Sequence, residues 1–244
     1  MNAPVRVGLL GLGTVGQGVI RVLQKNAEEI SRRAGRPIKV THVSAKDLAK
    51  KRDCKLDGIT VVSDPMSIAR DADVDVVVEV IGGQSPAREL ILAALARGKP
   101  VVTANKALLA EDGNAIFAAA REKGVPVVFE AAVAGGIPVI KAIREGLAAN
   151  RIESLAGIIN GTSNYILTQM SQRGLDFSVA LAEAQKLGYA EADPRFDVEG
   201  VDAAHKLTIL ASIAFGIPLS FKRVTIEGIT AVTAQDIQLA RELG

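Results

Sequence analysis

The sequence is poor in the residues on which several protein classes depend, and each scarcity narrows what the chain can be. A single cysteine, Cys54, among 244 residues rules out an internal disulfide and fits a reducing compartment. The two histidines, His42 and His205, lie far apart in sequence, and with one thiol they make no zinc cluster. Each reads more readily as a packed or surface residue than as a catalyst, so any hydride-transfer chemistry must polarise its carbonyl without zinc. That turns attention to lysine. Aromatics make up only 3% of the chain and tryptophan is absent, which leaves little for stacking on bases. A net charge of +2, with no basic tract longer than Lys50-Lys51-Arg52, gives no electrostatic footprint for nucleic acid. Long apolar runs are missing as well. Residues 131–140 reach about half of the ~20 positions a spanning helix needs, and Gly135, Gly136 and Pro138 interrupt them. Met1-Asn2-Ala3-Pro4 leads straight into an apolar strand pattern rather than a secretory leader, so a cytoplasmic protein without membrane or nucleic-acid partners is expected.

What remains is the composition of a globular enzyme, 48% hydrophobic and 23% charged, long enough for one large domain or two small ones. The organising stretch is residues 5–18, VRVGLLGLGTVGQG. An apolar run feeds into Gly11, Gly13 and Gly16 at G-x-G-x-x-G spacing, and an amphipathic helical pattern follows over 15–33. The first glycine permits a tight turn, the second lets backbone amides approach a pyrophosphate, and the third lets helix and strand pack closely. Leu12, Thr14 and Val15 complete this cofactor-binding loop, whose helix N-terminus presents free N–H groups to phosphate.

Strand patterns at 38–43, 59–62, 74–81, 101–103 and 125–130 alternate with helical ones at 85–97 and 111–123. That alternation predicts an α/β fold with a doubly wound parallel sheet of Rossmann type, with its ligand crevice at the strand C-termini. Ile81, Thr103, Asn105 and Lys106 follow such ends, which makes Lys106 a candidate at the crevice, with a capping or surface role as its alternative. After the second strand, where an NAD-specific domain carries an acid for the ribose 2′-hydroxyl, this chain has Ser44, Ala45 and Lys46, with Lys50, Lys51 and Arg52 close behind. Cations in place of the acid favour a 2′-phosphate and hence NADP over NAD. A solvated basic loop is the bland alternative, and Asp47 pulls the other way. The regular alternation breaks at AAVAGGIPVIKAI, which sets the expected boundary between a cofactor domain, 1–134, and a second domain, 135–244, predicted as α+β with strands at 152–159 and 223–226.

In the second domain Asp202 and Lys206 stand four apart at the start of an apolar helix, so they share a face and can pair or converge on one ligand. Glu191, Asp193 and Asp197 lie in the loop before them. An exposed i,i+4 pair is common and weak, about 0.3–0.5 kcal/mol. Against that reading, Ala203, Ala204, Leu207, Ile209, Leu210 and Ile213 leave only part of this helix polar.

The segment 184–206, A-x-x-x-G-Y-A-E-A-D-P-x-x-D-V-x-G-x-D-x-x-x-K, resembles the signature of the homoserine dehydrogenases, and matches it without a gap. The glycine loop, Thr103-Ala104-Asn105-Lys106, residues 130–138 and Asn160-Gly161-Thr162-Ser163-Asn164-Tyr165 extend the resemblance over most of the chain. The resemblance implies NAD(P)-dependent interconversion of L-homoserine and L-aspartate 4-semialdehyde, in the biosynthesis of threonine, methionine and isoleucine. It implies Lys206 as general acid/base, Asp202 as its orienting partner, and Lys106 in contact with substrate and nicotinamide. Glu191 is carried over as the carboxylate for the substrate's α-amino group, with Gly161, Thr162, Tyr189 and Asp197 around the substrate and Gly188 beside the cofactor. A sodium-like monovalent cation is implied at Glu130, Val133, Gly135 and Ile137. The family's catalytic region continues past the point at which this chain stops, so the second domain is expected to be incomplete, and a homodimer or higher homo-oligomer is expected of the full-length form. A different amino-acid dehydrogenase and a non-catalytic dinucleotide-binding fragment are the competing readings.

Overall fold

Val5–Leu10 forms the first strand, β1, whose last four residues are buried because helices cover both faces of the sheet it joins. In the computed structural model, which describes residues 3–244, the chain divides into two compact units between Ala142 and Ile143. The boundary expected at 134/135 thus falls inside the first unit.

In the first unit β1 is followed by α1 (Thr14–Lys25) and α2 (Ala27–Ala34), then β2 (Ile38–Ser44), β3 (Thr60–Val62), α3 (Pro65–Arg70) and β4 (Val76–Glu79). The single helical pattern over 15–33 is in fact two helices that break at Asn26, the C-cap of one and N-cap of the next. α4 (Ala87–Ala96), β5 (Val101–Thr103), α5 (Lys106–Lys123), β6 (Val127–Val128) and the short α6 (Val139–Lys141) complete it. All ladders are parallel, in the order β3-β2-β1-β4-β5-β6. The order reverses between β1 and β4, so a crevice opens at their C-terminal ends. Two glycines make the β1–α1 turn possible. Gly11 has φ +103, which side chains rarely adopt, and a Cβ on Gly16 would lie 2.0 Å from the Gly11 carbonyl oxygen.

α5 starts five residues earlier than its sequence pattern suggests, because the Asn105 side chain accepts the Leu108 N–H at 3.2 Å and caps it. Beneath the crevice lies a fully buried carboxylate. Glu79 accepts the Ile81 and Gly82 N–H groups at 2.8 and 3.1 Å and the Thr103 hydroxyl at 2.6 Å. Asn105 then donates to Gly83 O at 2.7 Å, which ties the ends of β4 and β5 together.

The second unit contains α7 (Gly161–Arg173), α8 (Phe177–Lys186), the one-turn α9 (Arg195–Val198), α10 (Val201–Phe215) and α11 (Ala234–Leu243). Ile166, Met170, Ala180, Ala184, Ala190 and Val198 form its core. The two strands expected here are not strands among the described residues. Residues 152–159 carry no regular structure, and Phe221–Arg223 is a 3₁₀ turn leading into an irregular segment. Alternating side chains can favour an extended chain, but a strand also needs a neighbour to accept its ladder, and no described segment supplies one.

Candidate active site

The first unit holds a cleft of about 610 Å³ at the sheet's switch point. Gly11, Leu12, Gly13, Ala45, Lys46 and Ile81, six of the candidate cofactor residues, line it together with Ser44, Lys50, Arg52, Ser63, Pro65 and Pro86. Thr14, Val15 and Gly16 form the first turn of α1 directly after the loop. The Ser44 hydroxyl accepts the Gly11 N–H at 3.1 Å and so fastens the turn to the end of β2. A dinucleotide fits this cradle. A Cβ on Gly13 would meet nothing within 4 Å, so the backbone is open to a ligand, and the loop delivers the N-terminus of a twelve-residue helix.

Lys46, Lys50 and Arg52 make the cleft basic after β2, and Asp47, which also lines it, turns its Oδ1 back onto the Ala49 and Lys50 N–H groups at 2.9 and 3.1 Å. Arg52 donates from Nη2 to the Asp47 carbonyl at 2.7 Å, while its buried Nε has no hydrogen-bond partner among the described residues. Thr103, expected beside the cofactor, is buried at the end of β5 with its hydroxyl on Glu79. Lys106 opens α5, half-buried, next to the capping Asn105. Gly188 belongs to the second unit, where it follows α8 at φ +77.

The expected cation ligands sit after β6. Glu130 accepts the Ile140 N–H at 2.9 Å and the Lys141 N–H at 3.0 Å, one on each oxygen, while the Ile137 carbonyl accepts the Val139 N–H at 2.8 Å. Val133 is buried and Gly135 exposed. Each oxygen retains a second lone pair, and one carboxylate with backbone carbonyls is a hard-oxygen set of the kind that suits a hard cation.

The second unit gathers a tight polar cluster at the start of α10. Lys206 donates from Nζ to Asp202 Oδ2 and to the Ile159 carbonyl, both at 2.7 Å. The Asp202 and Lys206 side chains are only 6% and 16% exposed, so this is no solvated-face pair. Asn160, absent from the sequence-derived set, donates from Nδ2 to Asp202 Oδ2 at 2.8 Å and to Asp197 Oδ1 at 2.7 Å. Around it, Thr162 donates to the Tyr189 carbonyl at 2.7 Å, and the Tyr165 and Tyr189 rings pack at 4.8 Å. Gly161, Tyr189 and Glu191 are exposed, and the Glu191 carbonyl accepts a hydrogen bond from Gln185 Nε2 at 3.1 Å. Asp193 is engaged elsewhere, its carboxyl lowered to about 2 by hydrogen bonds from the Arg195 side chain. His205 packs between Phe196 and Phe221 at 5.5 and 4.4 Å, in keeping with a packed residue. The arrangement can hold an ammonium in a fixed direction beside carboxylates, which suits proton transfer to or from a bound oxygen.

Residues 11–130 match the family model described as the NAD binding domain of homoserine dehydrogenase, and residues 138–244 match the one described as homoserine dehydrogenase. Over 99% of its length the chain is 61% identical to the homoserine dehydrogenase of Pseudomonas aeruginosa and 55% identical to that of Neisseria gonorrhoeae, covering 55% of each. A homoserine dehydrogenase from Thiobacillus denitrificans aligns with a TM-score of 0.93 at 59% identity, over 99% of this chain and 56% of that one. A hyperthermophilic archaeal homoserine dehydrogenase in complex with NADPH aligns with a TM-score of 0.79 at 27% identity, over 95% of this chain and 76% of that one. The chain spans about half the length of the curated relatives it matches.

Proposed function

The chain belongs to the homoserine dehydrogenase family, and on that premise we propose that it carries the catalytic core of an enzyme interconverting L-homoserine and L-aspartate 4-semialdehyde. The observation that carries this reading is the half-buried Lys206 ammonium held by Asp202 and the Ile159 carbonyl. A bound nicotinamide cofactor would supply hydride chemistry here, reducing the aldehyde carbon or oxidising homoserine. Lys206 gives its proton to the oxygen as the aldehyde is reduced, and takes one back in the oxidative direction, so charge and atoms balance without a metal in the step. Asp202 keeps the ammonium aimed, Lys106 contacts substrate and nicotinamide, and the exposed Glu191 receives the substrate's α-ammonium with Gly161, Thr162, Tyr189 and Asp197 around it. Gly188 contributes on the cofactor side.

The first unit is the cofactor domain and the second the substrate domain in this reading. NADP is preferred over NAD in this reading, because Asp47 is spent on loop amides while the basic Lys46, Lys50 and Arg52 line the cleft. The bound archaeal relative contains NADPH, which supports the same choice. A sodium-like cation would be held by Glu130 and the carbonyls of Val133, Gly135 and Ile137, where it would brace the segment after β6. The full-length protein is a cytoplasmic homo-oligomer in this reading. Exposed Ile158, Leu187 and Ile217 on the second unit support an apolar contact with another copy.

The test is a steady-state assay following NADP reduction by homoserine, in the wild type and in Lys206→Ala. The variant is expected to fold and to lose roughly 10²–10⁴ in turnover, the scale of one positioned acid. Wild-type turnover in that variant would refute the role given to the lysine.

A further inference from the structure

We infer that Asn160 is a positioning residue for this reaction: its one amide group fixes Asp197 and Asp202 together and thereby sets where the Lys206 ammonium sits. The inference rests on Lys206 being the proton donor, as proposed above. Asn160 is the N-cap of α7, and its Oδ1 accepts the Ser163 N–H at 2.8 Å. That bond settles which way round the amide lies, since an oxygen turned toward two carboxylates would repel both. Nδ2 therefore faces the acids, and its two hydrogens serve one each, Asp197 Oδ1 at 2.7 Å and Asp202 Oδ2 at 2.8 Å. Its donor capacity is then exhausted. The residue is 9% exposed and Asp202 4%, so water is a poor substitute for either bond.

Asp202 Oδ2 receives Lys206 Nζ and Asn160 Nδ2 together, so the amide holds the oxygen that holds the lysine. Ile159, next to Asn160 in the chain, supplies the second acceptor for Nζ. Two adjacent residues thus account for the lysine's surroundings, one through its carbonyl and one through an acid. With two of its three hydrogens committed, Nζ keeps one direction for the reacting oxygen. The neutral amide also lets two carboxylates sit side by side. Together with one ammonium they leave a single net negative charge, which suits a zwitterionic substrate's ammonium. Ser163 completes the frame by donating from its hydroxyl to the Asp197 carbonyl at 3.1 Å.

Helix capping alone is a competing explanation for Asn160, and two variants separate the roles. Asn, Ser and Asp are about equally good N-caps, so Asn160→Ser and Asn160→Asp both keep the Ser163 bond and are expected to fold. They differ in what they offer the acids. Serine retains one weak donor, while aspartate offers none and adds a charge that repels both carboxylates. Positioning predicts a graded loss of kcat with homoserine, about 10-fold for Asn160→Ser and about 10²-fold or more for Asn160→Asp, as misplacement of a reacting group entails. KM for NADP should stay within twofold, and the solvent deuterium isotope effect on kcat should rise as proton transfer slows. Equal kcat in all three proteins, or a loss without the graded order and without a larger isotope effect, overturns the proposal. Lys206→Met in the same series keeps the two claims apart. If it retains turnover the lysine's role fails, whereas a dead Lys206→Met beside an unaffected Asn160→Asp removes only the role given to Asn160.

Discussion

Arg52 is the residue on which the proposed preference for NADP is tested most directly. It lines the nucleotide cleft beside Lys46 and Lys50, and its Nη2 is held by the Asp47 carbonyl, which fixes the guanidinium charge there. A hydrogen bond between charged partners contributes about 1.5–3 kcal/mol. Arg52→Gln is therefore expected to weaken NADP binding by roughly 10- to 100-fold while leaving NAD binding nearly unchanged, as titration calorimetry with both nucleotides would record. An equal loss for both would mean that Arg52 only holds the loop. At this scale the sequence is informative about types and silent about pairings. It exposes Lys46, Lys50 and Arg52 after β2, yet Asp47 looks equally eligible until its Oδ1 is found on the Ala49 and Lys50 amides. Glu79 and Asn160 escape sequence reasoning for the same cause. Nothing in the periodicity around Glu79 marks a carboxylate whose partners include Thr103, 24 residues away.

Among the elements, β1 and the segment leading into β4 are clamped at their first residues. Arg6 donates from Nη2 and Nε to the two oxygens of Asp75 at 2.8 and 3.1 Å, its backbone N–H reaches Asp75 Oδ2 at 2.7 Å, and it also pairs with Asp73. The Arg6 hydrogen bonds lower the Asp75 carboxyl from 3.8 to about 2. Because the folded value lies below the ordinary one, the unfolded chain binds more protons between them, so this contribution is present at neutral pH and fades as pH falls from about 4 toward 2. Asp75 is more than a third exposed, and solvent screening keeps the effect modest. Arg6→Met should melt lower than the wild type at pH 6 and lose less further stability between pH 5 and pH 2. Parallel curves would show that the clamp adds nothing.

Element boundaries were readable where a cap writes them. Thr233 and Asp236 form a reciprocal capping box at the start of α11, as their three-residue spacing predicts. They were less readable where the cap is reached from a preceding loop, as with Asn105 and α5. Residues 152–159 mark the limit of pattern reading, because alternation describes one chain and a strand requires two.

On the scale of the whole molecule, each of the two units has a buried core of its own among the described residues, including Leu9, Ile20 and Val43 in the first and Ile166, Met170 and Ala184 in the second. The cofactor cleft is lined by the first unit alone. Ligand that binds only the folded state stabilises it by about 2.7 kcal/mol at 100 times its Kd. Calorimetry with NADP is thus expected to resolve two transitions and to raise mainly the one belonging to the first unit. A single transition moving as a whole would show instead that the units unfold together.

The sequence by itself determined the parallel sheet, the glycine turn at Gly11–Gly16 and the shared helix face of Asp202 and Lys206. Each of these is written in short-range spacing, where backbone geometry converts residue order directly into position. Only the tertiary structure decided that the lysine is largely shielded from solvent, that Ile159 and Asn160 hold it from more than forty residues away, and that the Asp47 carboxyl is spent on loop amides. The physical reason is that burial and hydrogen-bond pairing depend on which distant segments meet, and local periodicity carries no record of that meeting.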